Sequence, residues 1–223
     1  MKKSVIIVAA GKGVRFGSEL PKQFLPLLGW PVLMHTLRRF HEEDPATNIL
    51  LVLNSSHRSL WEELQMKHDF HIPHVVIEGG EERFHSVRHA MAHVSKDTDV
   101  VAIHDGVRPM ISTACIRSLF ESAMQNGSAI PCMELADSIR QWNGDQFVTA
   151  LRSDFRTIQT PQCFRFDSIQ TAYAQPFQPA FTDDAAVMEA AGHRLHLCAG
   201  ERNNFKITTP EDFRLAEALL KHT

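Results

Sequence analysis

Short apolar runs alternate with helical patterns along most of the chain, and few folds accept that rhythm. Residues 4–9 are almost wholly apolar and rich in β-branched side chains, as a strand covered on both faces requires. Pro31 opens a helix to about residue 42, with Val32, Leu33, Thr36, Leu37 and Phe40 on one side. Further strands are predicted over 48–53, 74–77, 99–103 and 128–133. Between them fall helices from a Ser56 cap to 68, over 83–94, and from a Ser112 cap to about 125. Strand–helix repetition of this kind predicts an α/β fold: a mainly parallel sheet with helices on both faces. Such sheets bind ligands beyond the carboxyl ends of their strands, so the loops after Ala9, Ile77 and Ile103 are the ones to inspect.

The rhythm breaks over residues 135–158. Residues 138–142 alternate, Asn143-Gly144-Asp145 is a turn signal, and residues 147–151 alternate again, which predicts a β-hairpin. A ribbon projecting from an α/β domain needs something to cover its apolar side. It reads either as a dimerisation arm or as an edge hairpin folded on its own domain. Helices near 166–174 and 183–191, strands at 194–198 and near 205–207, and a final helix from Pro210 to about 220 complete the chain. The 223 residues suit a single domain spanning 1–223 with the arm as an excursion.

A formal net charge of −3 supplies no global basic field, which argues against nucleic acid and membrane partners. The thirteen histidines are scattered, with no HExxH pair and no zinc spacing. Cys115, Cys132, Cys163 and Cys198 lie far apart, as reduced thiols of the cytoplasm do. The apolar run after Lys2-Lys3 is short and breaks at Gly11, so it reads as a first strand and not as a signal segment; no run reaches membrane-spanning length.

The loop after the first strand carries the chemistry. In Ala9-Ala10-Gly11-Lys12-Gly13-Val14-Arg15-Phe16-Gly17, followed by Pro21-Lys22-Gln23, glycines allow close backbone approach to an anion, and Arg15 and Lys22 add two cations. It is not a Walker loop, because no Gly-Lys-Ser/Thr follows the spacer; Phe16 stands where the dinucleotide fingerprint needs a third glycine.

With its ordered motifs, the chain resembles the 2-C-methyl-D-erythritol 4-phosphate cytidylyltransferases of the non-mevalonate isoprenoid pathway over nearly its full length. The motifs are the loop above, Gly80-x-x-Arg83-x-x-Ser86-Val87, His104-Asp105-x-x-Arg108-Pro109, Thr160-Pro161-Gln162, Thr182-Asp183-Asp184, and Lys206-Ile207-Thr208 before Pro210-Glu211-Asp212. The resemblance implies a Rossmann-like nucleotidyltransferase fold. It implies transfer of CMP from CTP to a small polyol phosphate with release of pyrophosphate, and a magnesium (Mg2+) cofactor held mainly by substrate phosphates and not by protein ligands. Ala9, Ala10 and Gly11 would line the CTP site through backbone groups. Gly80, Arg83 and Ser86 would position cytosine and ribose, and Asp105 and Arg108 would sit beside ribose and acceptor. Arg15 and Lys22 would stabilise the reacting phosphate, and Ser138, Arg152, Thr160 and Lys206 would face the acceptor. Arg15, Lys22, Arg152 and Lys206 form the catalytic set. Arg152 would reach the site of a second subunit, which implies a homodimer with exchanged arms.

The residues themselves leave alternatives. Arg83 can pair on its helix surface, Asp105 can cap a turn or bind a metal, Arg152 can pair with Asp154, and Lys206 can be an exposed edge lysine. Asp183 and Asp184 read as caps of the helix that follows. Gly106-Val107 departs from the two alanines usual between acid and arginine in the family, and Ser138 replaces a commoner threonine. Rival readings are a ribitol-5-phosphate cytidylyltransferase, an NTP-sugar pyrophosphorylase using UTP or GTP, and a non-catalytic nucleotide sensor.

Overall fold

The computed structural model describes residues 1–11 and 20–221. The first strand, β1 (Lys3–Val8), is followed by a short ribbon, β2 (Pro26–Leu27) with β3 (Trp30–Pro31), and by α1 (Val32–Glu43). Then come β4 (Asn48–Leu53), α2 (Arg58–Lys67), β5 (Val75–Glu78), α3 (Arg83–Met91), β6 (Val100–Asp105), α4 (Thr113–Asn126) and β7 (Ser128–Glu134). After the hairpin β8 (Ile139–Trp142) and β9 (Phe147–Ala150) follow β10 (Arg156–Ile158), β11 (Gln162–Arg165), α5 (Phe166–Ala172), α6 (Asp184–Ala190), β12 (Leu197–Ala199) and α7 (Pro210–Leu220).

The main sheet has the order β10-β7-β11-β6-β1-β4-β5, with β12 added beside β7. Strand β1 lies between β4 and β6, parallel to both, which is why it must be apolar on two faces. Its alternate residues feed different cores. Val5 and Ile7 join Leu51, Leu37, Phe40, Trp61 and Phe120 on one side of the sheet. Ile6 joins Val52, Phe84, Val87, Phe164 and Tyr173 on the other. A third cluster seats α7 through Ala216 against Leu27, Val32, Val107 and Ile207.

The mainly parallel expectation holds, and β10 and β11 are the exception. Both run antiparallel to β7, and β11 is wedged between β6 and β7. The pairing with β7 shifts by two residues between Ile158↔Cys132 and Cys163↔Ala129; Gln159 still donates to the Pro131 carbonyl, so the chain bulges out of the ladder at residues 160–161. Sequence periodicity does not predict these two strands, whose partners lie far away along the chain.

Local differences have local causes. Asn54, not Ser56, caps the turn that leads into α2: its side chain accepts from the Ser56 amide at 3.0 Å. Ser112 caps α4 as expected, accepting from the Cys115 amide. Residues 205–207 form no strand; Ile207 instead donates a single backbone bond to Val107. The 194–198 strand falls at Leu197–Ala199. The hairpin forms its own two-stranded sheet, with Asn143 accepting from the Asp145 and Gln146 amides at the turn. Trp142 and Phe147 pair across it with ring centroids 5.1 Å apart. Both stay more than half exposed, and Leu151 more so. No helix among the described residues is long and apolar enough to cross a membrane.

Helix α7 starts in a capping box, Thr209 accepting from Asp212 while the Asp212 carboxylate accepts from the Thr208 and Thr209 amides and the Thr208 hydroxyl. Asp212→Ala removes those bonds and is expected to cost about 1–2 kcal/mol, the usual range for losing a cap. A thermal melt reads it as a drop of several degrees; an unchanged melting temperature would mean that the box does not hold the helix.

Candidate active site

The carboxyl ends of β1, β5 and β6 open on one cleft of about 390 Å³. Its walls include Ala9, Ala10 and Gly11 after β1, Gly80, Arg83 and Ser86 after β5, Asp105 at the end of β6, and Lys22 and Lys206 from elsewhere. These segments approach closely for want of side chains. A Cβ at position 79 would fall 2.5 Å from that of Ala10, and one at position 106 would fall 2.9 Å from that of Ala9 and 3.0 Å from Leu33 Cδ1. Alanine at 106 would therefore have to push against Ala9 and Leu33.

Asp105 is the electrostatic centre. Lys206 Nζ lies 3.1 Å and Arg108 Nε 3.2 Å from its Oδ2, and Arg83 Nε lies 3.9 Å from its Oδ1. Burial disfavours the charged form, but Lys206, Arg83 and Arg108 more than offset it and hold the pKa well below the usual carboxylate range. No group of three or more His, Cys, Asp or Glu fit to hold a metal occurs among the described residues.

Behind the cleft, buried polar groups fix this centre. The Asp105 amide donates to Thr160 Oγ1 at 3.0 Å, and the Thr160 hydroxyl donates to His104 Nδ1 at 3.1 Å. His104 Nε2–H then donates to the Arg108 carbonyl at 3.1 Å, which sets the neutral tautomer. Asn204 donates to the Thr160 carbonyl, and Arg108 Nη1 donates to the Asn204 carbonyl. The bulge at 160–161 thus ties β6 to the segment that carries Lys206. Arg108 and Thr160 act from this layer and are not part of the cleft wall.

The remaining expectations fall elsewhere. Arg15 lies outside the described residues. Ser138 and Arg152 are exposed on the hairpin side of the chain and do not line the cleft. Arg152 donates to the Ala136 carbonyl, not to Asp154. Asp183 does cap α6, accepting from the Ala186 amide. Asp184 does not: it is fully buried and takes the Arg83 guanidinium at 2.8 and 2.6 Å. Gln23, which the sequence names only within the Pro21-Lys22-Gln23 motif, has a task of its own: its amide donates to the carbonyls of Ala9 at 2.9 Å and Gly11 at 3.2 Å. Its adjacency to Lys22 was the available signal.

An α/β sheet with glycine-shaped walls and cations at its carboxyl edge suits a nucleotide's phosphates, and comparisons with known proteins narrow that class to nucleotidyltransferases. The model of the 2-C-methyl-D-erythritol 4-phosphate cytidylyltransferase family matches residues 4–222, and the chain belongs to that family. It is similar to the 2-C-methyl-D-erythritol 4-phosphate cytidylyltransferase of Bacteroides thetaiotaomicron, at 46% identity over 99% of this chain and 100% of the relative. Among solved structures it is similar to the enzyme of that name from Thermus thermophilus, with a TM-score of 0.80, 30% identity and coverage of 99% and 100%. It is also similar to 4-diphosphocytidyl-2C-methyl-D-erythritol synthase from Anaerococcus prevotii, with a TM-score of 0.83, 26% identity and coverage of 99% and 96%.

Two measurements test this geometry. Burial drives the pKa of His104 down to about 4, whereas the unfolded residue titrates near its ordinary 6.5. The unfolded state therefore binds the extra proton between those limits. Stability is full above about pH 6.5 and falls by about 3 kcal/mol as pH drops toward 4. Urea unfolding at pH 7 and pH 4.5 should show a larger loss for wild type than for His104→Asn; equal losses would contradict the assignment. Gln23→Leu leaves the Ala9 and Gly11 carbonyls without that donor and is expected to destabilise by about 1–3 kcal/mol, read from the urea midpoint. An unchanged midpoint would show that the clamp is dispensable.

Proposed function

We propose that this cleft transfers CMP from CTP to 2-C-methyl-D-erythritol 4-phosphate, giving 4-diphosphocytidyl-2-C-methyl-D-erythritol and pyrophosphate for non-mevalonate isoprenoid synthesis. The observation that carries the reading is the convergence of Ala9–Gly11, Gly80–Ser86, Asp105 and Lys206 on one cleft of nucleotide size, in a chain of this family. The family match does not favour the ribitol phosphate reading.

An oxygen of the acceptor phosphate attacks the α-phosphorus, forming a new P–O bond. The bond from the α-phosphorus to the bridging oxygen breaks, and pyrophosphate leaves with the electron pair. The attacking phosphate is already largely ionised near neutral pH, so the protein need only align two anions and offset the charge of the transition state. Lys22 faces the reacting phosphate, and Lys206 faces the acceptor while held by Asp105; the family resemblance assigns Arg15 to the same phosphate. Ala10, Gly80 and Ser86 enclose the base.

The described charged groups of the cleft wall balance, Lys22, Arg83 and Lys206 against Glu81, Glu82 and Asp105. They leave a triphosphate largely uncompensated. That balance, with Asp105 occupied by cations, supports magnesium bound chiefly by the phosphates. Bound there, the ion would polarise the phosphoryl oxygens.

The exposed apolar face of the hairpin, Trp142, Phe147 and Leu151, supports a homodimer in which residues 135–158 form an exchanged arm. Ser138 and Arg152 then reach the acceptor in the partner's cleft. Four unpaired cysteines support a reducing, cytoplasmic setting.

Pyrophosphate release with magnesium, crossing the four nucleotides against methylerythritol phosphate and ribitol phosphate, tests the reaction. Release with CTP and methylerythritol phosphate is expected; none from a folded protein that binds CTP would overturn the reading. Lys22→Ala is expected to lower turnover about a hundredfold or more, as loss of one strong transition-state contact does. Mixed dimers of Arg152→Ala and Lys22→Ala subunits should recover activity; confirmed heterodimers without recovery would place the whole site in one chain.

A further inference from the structure

Asp184 is a carboxylate wholly removed from water. Its Oδ1 accepts from Arg83 Nη1 at 2.8 Å and from the Tyr173 hydroxyl at 2.5 Å, and its Oδ2 accepts from Arg83 Nη2 at 2.6 Å. The Tyr173 ring stacks on Phe84, the neighbour of Arg83, with centroids 4.9 Å apart. Gln162 fixes the approach of α6 from the other side, donating to Asp183 and accepting from the Ala185 amide. Arginine and carboxylate therefore meet in a two-bond fork whose plane and depth are set by packing.

Stability alone is a weak reason for such a pair. Burying two charges costs several kcal/mol, and well-packed apolar residues often serve a core as well. The pair does, however, have a second side. Arg83 also lines the cleft, and its Nε lies 3.9 Å from Asp105 Oδ1. An arginine at a cleft mouth has many rotamers; one forked onto a buried acid has a single orientation.

We infer that Asp184 is a positioning residue for nucleotide binding: with Tyr173 it locks the Arg83 guanidinium against the cleft wall beside Asp105. It does so without touching a ligand itself. This inference rests on the cleft being the CTP site. It assigns to the second acid of Thr182-Asp183-Asp184 a task distinct from that of the first, which caps α6.

The test is a double-mutant cycle on CTP binding, measured by calorimetry, with kcat and both KM values from pyrophosphate release. Asp184→Asn keeps the shape but removes the charge that holds the fork. It is expected to weaken CTP binding about tenfold or more, with the KM for the acceptor near that of wild type. In an Arg83→Met background the same change should add little, because the residue it positions is gone. Tyr173→Phe, which keeps the stacked ring and loses only the hydroxyl, is expected to fold and to weaken CTP binding about threefold; it decides the matter if Asp184→Asn does not fold. Folded variants with wild-type CTP affinity, or effects of Asp184→Asn and Arg83→Met that simply add, would overturn the inference and leave the functional reading standing. A folded wild-type protein that bound no CTP would overturn both.

Discussion

A carboxylate withdrawn from water must be compensated, and Asp105 draws its compensation from three separate parts of the chain. Lys206 arrives from the segment before α7, Arg108 from the turn after β6, and Arg83 from the start of α3. Much of the rest of the structure can be read as the means of bringing these groups together. The register shift between β10 and β11 turns Thr160 toward the Asp105 amide. Asn204 joins that bulge to the strand-less stretch carrying Lys206, and the capping box of α7 anchors its far end. Gly106 lets the acid's own turn lie against Val8 and Ala9 at the end of β1. Lys206, Arg108 and Arg83 are thus held in place by the protein's own acids, and under the proposed function such fixed charges would need no reorganisation as phosphates enter.

Sequence periodicity revealed those parts of the fold whose cause is local. The strands β1 and β4 are legible because burial on two faces demands unbroken apolar residues, and α4 because Ser112 marks its start. The hairpin is legible from the Asn143-Gly144 turn between alternating runs. Strand β11 is not, since four residues wedged between β6 and β7 take their identity from partners far along the chain. The same limit applied to the site. Lys22 and Asp105 stand out as charges in glycine-rich or strand-end settings. The tasks of Asp184 and His104 depend on what lies opposite them. Asp184 in particular has the sequence context of a helix cap, and only the placement of Arg83 across from it shows otherwise.

The chain also separates two kinds of surface. The cleft is made of strand ends and is held by buried polar bonds on every side. The hairpin holds its apolar side chains, Trp142, Phe147 and Leu151, out in solvent, and it carries Ser138 and Arg152 at its base. An exposed cross-strand aromatic pair is a costly feature for a surface that stays wet. The homodimer proposal gives that pair a partner and would bring Ser138 and Arg152, the two residues proposed for the acceptor that lie outside the cleft, to a partner's cleft.

The central claim is that the Asp105 charge organises the cleft, and Asp105→Asn tests it most directly because the side chain keeps its size and loses only its charge. The measurement is the rate of pyrophosphate release from CTP and methylerythritol phosphate by this variant, with folding verified by thermal melting. A folded protein is expected whose turnover falls by about a hundredfold or more, as Lys206 and Arg108 lose the carboxylate that holds them. A folded Asp105→Asn variant turning over at the wild-type rate would contradict it.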